Sequence, residues 1–236
     1  MSLFLISAVT IAIFLTVLPS LVSYGKFPLK IAFPTNVVSK ILRRMGGDAF
    51  ENTVRLNIAE YTRVRDVVLA ELRSLGFDAV CPPEVADKET FGDIDFCIAD
   101  PESRSLKEIT TTICRSFSFL LHKIEAPKKH GNIISFLTIE RYQIDVAVVH
   151  QDDLRIHVAA AANGDFAWIL QMSLNLQGLL LNSNGLFLRN RKLVEQGLLS
   201  KRGAQFLLSK DPALISSFLG LPEHAFDGKT SLSFSA

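Results

Sequence analysis

The run Tyr142-Gln143-Ile144-Asp145-Val146-Ala147-Val148-Val149 sets one carboxylate in a strand that is otherwise mostly apolar. Such a strand buries at least one face, where an unpaired ionised Asp costs several kcal/mol or gives up its charge. Asp145 therefore needs a partner. An earlier run, Gly92 to Ala99, carries two more carboxylates, in Gly92-Asp93-Ile94-Asp95. Alternate residues of a strand share a face, so Asp93 and Asp95 stand side by side while Ile94 and Phe96 face the core. Two like charges so placed repel unless something positive lies between them. A divalent cation does this, and hard oxygen ligands suit Mg2+ or Mn2+. With the two strands as neighbours, all three carboxylates converge, as two-metal phosphoryl or nucleotidyl transfer requires. Spacing alone leaves a second arrangement open, with Asp-x-Asp in a solvated turn and Asp145 on an exposed edge.

The elements around these runs indicate the α+β class. Pro34, Thr35 and Asn36 open a helix running to about Met45, stopped by Gly46 and Gly47. A second helix covers Ala59 to Leu75, with Val64, Val67, Val68, Leu72 and Leu75 along one face and Gly76 just beyond its end. Phe77 to Cys81 is β-prone and is broken by Pro82 and Pro83; Glu84 to Thr90 is a loop. After the Asp93 strand, Glu102 to Ile124 carries a helical pattern. Lys128 to Gly131 is a turn, and Ile133 to Ile139 with Tyr142 to Val149 forms a hairpin around Glu140 and Arg141. This order suits a mixed β-sheet with helices packed on one face. From Gly164 onward the pattern becomes mainly helical: Phe166 to Leu180, a small hairpin around Asn182 to Arg191, then Pro212 to Leu219 capped by Asp211 and stopped by Gly220. The polar residues from Asp227 onward are small enough to fray.

A net charge of +1 over 236 residues, with 21% charged, excludes a binder that works by bulk attraction to phosphates. Any basic contact is local, as at Lys123, Lys128, Lys129 and His130, which read as a charged surface turn. His122, His150, His157 and His224 show no metal-ligand spacing, and Trp168 lies in an apolar stripe that suits core packing. Cys81, Cys97 and Cys114 are odd in number and irregularly spaced, in or beside apolar runs, which reads as free thiols in a reducing, intracellular setting. Residues 1–25 carry no charge and are long and apolar enough to approach a bilayer core, so they are read as a candidate membrane anchor or signal segment. The basic residues that follow would keep the rest on the cytoplasmic side. Four segments result: 1–25 apolar, 26–160 the sheet domain, 161–228 a small mainly helical subdomain, and 229–236 a tail.

Lys88-Glu89-Thr90-Phe91-Gly92-Asp93-Ile94-Asp95 resembles the metal-binding segment of the family X DNA polymerases, the polymerase beta group. Arg141-Tyr142-Gln143-Ile144-Asp145-Val146 is similar to that family's third-aspartate strand. Gly178-Leu179-Leu180-Leu181-Asn182 through Gly185-Leu186-Phe187 resembles its thumb hairpin, and Phe218-Leu219-Gly220-Leu221-Pro222 its carboxyl-terminal Leu-Gly-Leu-Pro. The four segments keep the family order. The resemblance implies a nucleotidyltransferase palm followed by a thumb-like subdomain, and a Mg2+- or Mn2+-dependent two-metal transfer from a nucleoside triphosphate to a hydroxyl such as a DNA or RNA 3′ end. It implies that Asp93 and Asp95 bridge both metals, that Asp145 holds the catalytic metal, and that Gly92, Lys88 and Thr90 belong to the nucleotide-binding stretch. The chain departs from the family at four places: Pro82 and Pro83 replace a Gly-Ser pair, Val85 and Ala86 replace basic residues, Gln143 stands where Arg is common, and Phe166 to Gln177 lacks the Tyr-Phe-Thr-Gly-Ser sugar-recognition run. These departures keep a second expectation in view, a catalytically inactive palm used as a binding or scaffold module.

Overall fold

Parallel pairing of the two acidic strands forms the centre of the first of two units. In the computed structural model the described residues are 47–86, 88–122, 125–164, 166–175, 177–198, 200 and 203–232. They divide into one unit of residues 47–82 and 88–158 and another of residues 83–86 and 159–232. The expected helix from Pro34 to Met45, the side chain of Trp168, Lys123 and the apolar segment 1–25 lie outside what is described. Among the described residues no helix is long and apolar enough to cross a membrane.

The first unit runs β1 (Leu56–Asn57), α1 (Ile58–Ser74), β2 (Asp78–Val80), β3 (Thr90–Phe91), β4 (Asp93–Ala99), α2 (Leu106–Ser116), β5 (Lys128–His130), β6 (Ile133–Leu137) and β7 (Gln143–Val149). Five strands make a mixed sheet in the order β2-β4-β7-β6-β5. The β4–β7 pair is parallel and the other pairs are antiparallel. A short β1–β3 pair stands beside it. Ile94, Phe96 and Ile98 of β4, Ile144 and Val146 of β7 and Ile134 and Phe136 of β6 point to one face. There they meet Val64, Val68 and Leu72 of α1 and Ile109 and Ile113 of α2 in a single core. The helices thus cover this face and the acidic residues take the other. This is an α+β unit built on a mixed sheet.

Both helices start on a reciprocal cap. The Asn57 side chain accepts from the N–H groups of Ala59 and Glu60 while Glu60 accepts from the Asn57 N–H, and Ser105 and Glu108 do the same for α2. Helix α2 ends well before the Ile124 expected from periodicity. Its last turn closes on Phe117, and the next residues pair with the sheet: Leu121 bridges Thr138 and the His122 N–H donates to the Leu137 carbonyl. Sheet pairing takes those backbone groups in place of a further helical turn. Lys128 to His130, expected as part of a turn, is a strand that hairpins onto β6 through Gly131, which has φ +61°.

The second unit contains α4 (Phe166–Asn175), β8 (Leu179–Asn182), β9 (Gly185–Arg189), α5 (Arg191–Glu195), β10 (Gln205–Ser209) and α6 (Pro212–Leu219), followed by a 3-10 turn (Glu223–Phe226). Helix α3 (Leu154–Ala161) lies where the chain passes from the first unit to the second. The expected helix from Phe166 to Leu180 ends at Asn175. Gly178, at φ +77°, turns the chain into β8, so Leu179 and Leu180 belong to a strand. A three-stranded antiparallel sheet in the order β10-β9-β8 makes this unit mixed and not mainly helical. Helix α6 is as expected: Asp211 caps it, Pro212 is its first residue and Gly220 ends it at φ +67°.

Candidate functional site

The register of β4 against β7 puts Asp93 opposite Gln143 and Asp95 opposite Asp145. All four side chains share the face away from the helices, on strands about 4.8 Å apart. On the other side of β7, Ser135 of β6 stands opposite Asp145. Asp145 is therefore flanked by a carboxylate on one strand and a hydroxyl on the other. Asp95 is exposed, Asp93 and Asp145 are half-buried, and Gln143 is buried.

Both oxygens of Asp145 accept from the amide two residues away: Gln143 Nε2 lies 3.1 Å from Asp145 Oδ1 and 3.0 Å from Oδ2. Burial pushes the Asp145 carboxyl above its ordinary range, hydrogen bonds from Ser135 and Gln143 pull it part of the way back, and the Asp48 carboxylate adds to the rise. Gln143 itself is held from behind, its Oε1 accepting from the Ala49 N–H at 2.8 Å.

That N–H belongs to a strap, residues 47–54, which contributes to the acidic face. The Gly47 N–H donates to Asp93 Oδ2 at 2.9 Å, and Thr53 Oγ1 donates to the Gly47 carbonyl at 2.5 Å. Lys128 Nζ donates to the Ala49 carbonyl at 2.6 Å, and Arg141 donates to the carbonyls of Glu51 and Asn52 at 2.5 and 2.8 Å. Gly47 has φ +83°, and a Cβ there would fall 2.2 Å from the Gly92 carbonyl oxygen. Only glycine meets both conditions. Gly92, expected to admit a phosphate, is buried and in this close approach to Gly47.

Thr90 and Lys88 sit on the approach to β4. Thr90 is exposed in β3, its Oγ1 accepting from Arg55 Nε at 3.3 Å and its carbonyl from an Arg55 terminal nitrogen at 3.2 Å. Lys88 Nζ lies 5.1 Å over the Phe91 ring. Pro83, which stands within the resemblance's phosphate-binding position, offers its carbonyl to the Asn163 N–H at 2.6 Å. The three cysteines are free, and Cys97 is buried with its thiol pushed up by desolvation.

The structure thus brings Asp93, Asp95 and Asp145 onto one face of adjacent strands, and the donor set, all carboxylate oxygen, suits a hard divalent cation. Among the described residues no three His, Cys, Asp or Glu side chains are gathered closely enough to hold an ion. One oxygen of Asp93 accepts from the Gly47 N–H, and both oxygens of Asp145 accept from the Gln143 amide. Sequence reasoning missed Gly47, which read only as a helix stop, and Ser135. The signal for Ser135 was a lone hydroxyl in the apolar run Ile133–Leu137.

Compared with known proteins, the chain matches no protein-family model. None of the curated proteins matches it either.

Proposed function

We propose that the chain is a metal-dependent nucleotidyltransferase resembling the polymerase beta group. On this reading the first unit is the palm and the second a thumb-like subdomain. The enzyme transfers a nucleotide from a nucleoside triphosphate to a hydroxyl acceptor, such as a DNA or RNA 3′ end. The observation that carries it is the parallel register that aligns Asp95 with Asp145 and leaves Asp93 on the same face. An unrelated sheet has no need for three carboxylates on adjacent central strands, since their mutual repulsion works against the fold.

Bound Mg2+ or Mn2+ would lower the pKa of the attacking hydroxyl and steady the charge on the leaving pyrophosphate. Asp93 and Asp95, two residues apart, offer the oxygens that would bridge cations and triphosphate. Asp145 would hold the cation at the acceptor hydroxyl, with Ser135 and Gln143 fixing its orientation. Lys88 and Thr90, just before β4, would meet the triphosphate from that side.

The second reading is an inactive palm used as a binding or scaffold module. The Gln143 amide on both oxygens of Asp145 favours it, because a neutral donor does there part of what a cation would do. Thermal unfolding of the full chain separates the two. With Mg2+ or Mn2+ and each triphosphate in turn, the transferase is expected to rise in Tm for at least one pair, and Asp145→Ala is expected to lose that rise. No rise in the wild type with any pair would reject the transferase and leave the inactive module.

A further inference from the structure

Strand β10 is an edge of its sheet, in the order β10-β9-β8, and it lacks the charges that commonly keep such an edge from sticking. Its run Gln205-Phe206-Leu207-Leu208-Ser209 is uncharged. The three apolar side chains stand in solvent, Phe206 at 56% exposure, Leu207 at 50% and Leu208 at 46%. Register extends this patch onto β9, where Leu188 lies opposite Phe206 and is itself exposed. A single exposed leucine is ordinary, but large apolar side chains gathered on two paired strands mark a surface that something covers.

Positive charge is concentrated in the same stretch. Residues 188–210 hold Arg189, Arg191, Lys192, Lys201, Arg202 and Lys210 against a single acid, Glu195, whereas the whole chain carries only +1. Everything outside the stretch is therefore net acidic. Lys192 of α5 and Lys210, which follows β10 directly, are both exposed. The partner must accordingly accept apolar side chains and offer negative charge around them. A second copy of this chain meets the first condition but sets like charges against each other. A nucleic-acid backbone meets the second but leaves Phe206 and the leucines in water. An anionic bilayer surface meets both, because the acyl boundary takes the apolar side chains while the headgroups attract the cations.

We propose that the β9–β10 surface of the second unit docks on an anionic lipid membrane. Leu188, Phe206, Leu207 and Leu208 enter the boundary between headgroups and chains, and the basic residues around them meet the lipid anions. This route is separate from the apolar segment 1–25, and it does not depend on the acidic face of the first unit.

The test is sedimentation of the full chain with vesicles of phosphatidylcholine alone and of equimolar phosphatidylcholine and phosphatidylserine. The wild type is expected to favour the anionic vesicles and to lose that preference at high salt. Phe206→Ser combined with Leu208→Ser, and separately Lys192→Gln combined with Lys210→Gln, are each expected to lower partition onto them about tenfold. Phe119→Ser, which removes an exposed ring of the first unit, is expected to bind as the wild type does. Amide exchange over residues 205–209 is expected to slow on the anionic vesicles. Should the apolar double variant fail to fold, the lysine pair and the exchange measurement decide. Binding that both double variants keep in full, with unchanged exchange over β10, would overturn the proposal and assign the contact to another segment such as 1–25. Equal binding to neutral vesicles would overturn it, and so would a loss in Phe119→Ser as large as that in the apolar pair. Absence of vesicle binding in the wild type would overturn it too; affinity for a single-stranded DNA oligonucleotide, weakened by the lysine variants alone, would then give the surface to nucleic acid.

Discussion

Asp100 shows how much one carboxylate can organise where β4 ends. Its oxygens accept from the backbone N–H of Arg104 at 2.7 Å and of Glu102 at 3.3 Å, and from the Arg104 guanidinium at 2.8 Å, with the Asp100 side chain only 4% exposed. The Arg104 side chain is the largest influence holding the carboxyl below its ordinary range, and the two backbone donors add to it. The folded state therefore binds fewer protons than the unfolded chain. The resulting stability is present above the unfolded value of about 4 and is lost as pH falls through it towards the lower folded value. Asp100→Asn is expected to cost about 1–3 kcal/mol at pH 7. Denaturant midpoints measured at pH 7 and pH 3 should show the gap between variant and wild type closing at the acid end; a gap that stays constant would mean that the charge contributes nothing. Gly47 makes the complementary case, where backbone geometry and not charge decides. Alanine there must adopt φ +83° with its Cβ against the Gly92 carbonyl, so Gly47→Ala is expected to lower stability by about 2 kcal/mol or more. An unchanged denaturant midpoint would show that the strap is not held as described. The sequence made Asp93, Asp95 and Asp145 legible because carboxylates in apolar strands are anomalous. Gly47 and Ser135 were not, because a glycine after a helical pattern and a serine in a strand are ordinary until their contacts across the chain are seen.

At the scale of elements, what could be read beforehand was what is encoded locally. Helices α1 and α6 begin and end where capping residues, Pro212 and the positive-φ glycines place them. The extents of α2 and α4 and the existence of β5 and β10 depend on strand partners and not on the propensity of the segment itself. Helical periodicity continues through Phe117 and Leu120, but the backbone beyond is claimed by Leu137 and Thr138. Lys128 to His130 has no β-propensity of its own and is a strand because Ile133 to Ser135 lies alongside. Local encoding can be measured at α1. Asn57→Ala removes the acceptor for two N–H groups and is expected to cost about 1 kcal/mol, whereas Asn57→Asp, which keeps a capping oxygen, stays near the wild type. If chemical denaturation gives both variants the same midpoint, the cap contributes through something other than its oxygen.

On the scale of the molecule, the chain passes out of the first unit at residue 83, returns by residue 88, and leaves again after residue 158. Within the second unit the short stretch 83–86 is stitched to residues far along the chain. The Ala86 N–H donates to the Leu232 carbonyl at 3.0 Å, and the Asn163 N–H donates to the Pro83 carbonyl. The Asn163 side chain accepts from the Leu232 N–H at 2.7 Å and donates to the Thr230 carbonyl at 3.1 Å. Residues 227–232, whose small polar composition suggested a frayed tail, thus take part in these hydrogen bonds. Asn163 is 3% exposed, so Asn163→Ala leaves two part-buried backbone groups, the Thr230 carbonyl and the Leu232 N–H, without this partner, at a cost of about 1 kcal/mol each. That cost falls on the second unit. Amide exchange at Ala86 and Leu232 is therefore expected to accelerate in the variant, while the amides shared between β4 and β7 keep the protection of the wild type. Equal acceleration in both places would mean that the two units unfold as one, and that the tie at Asn163 supports the acidic sheet as well.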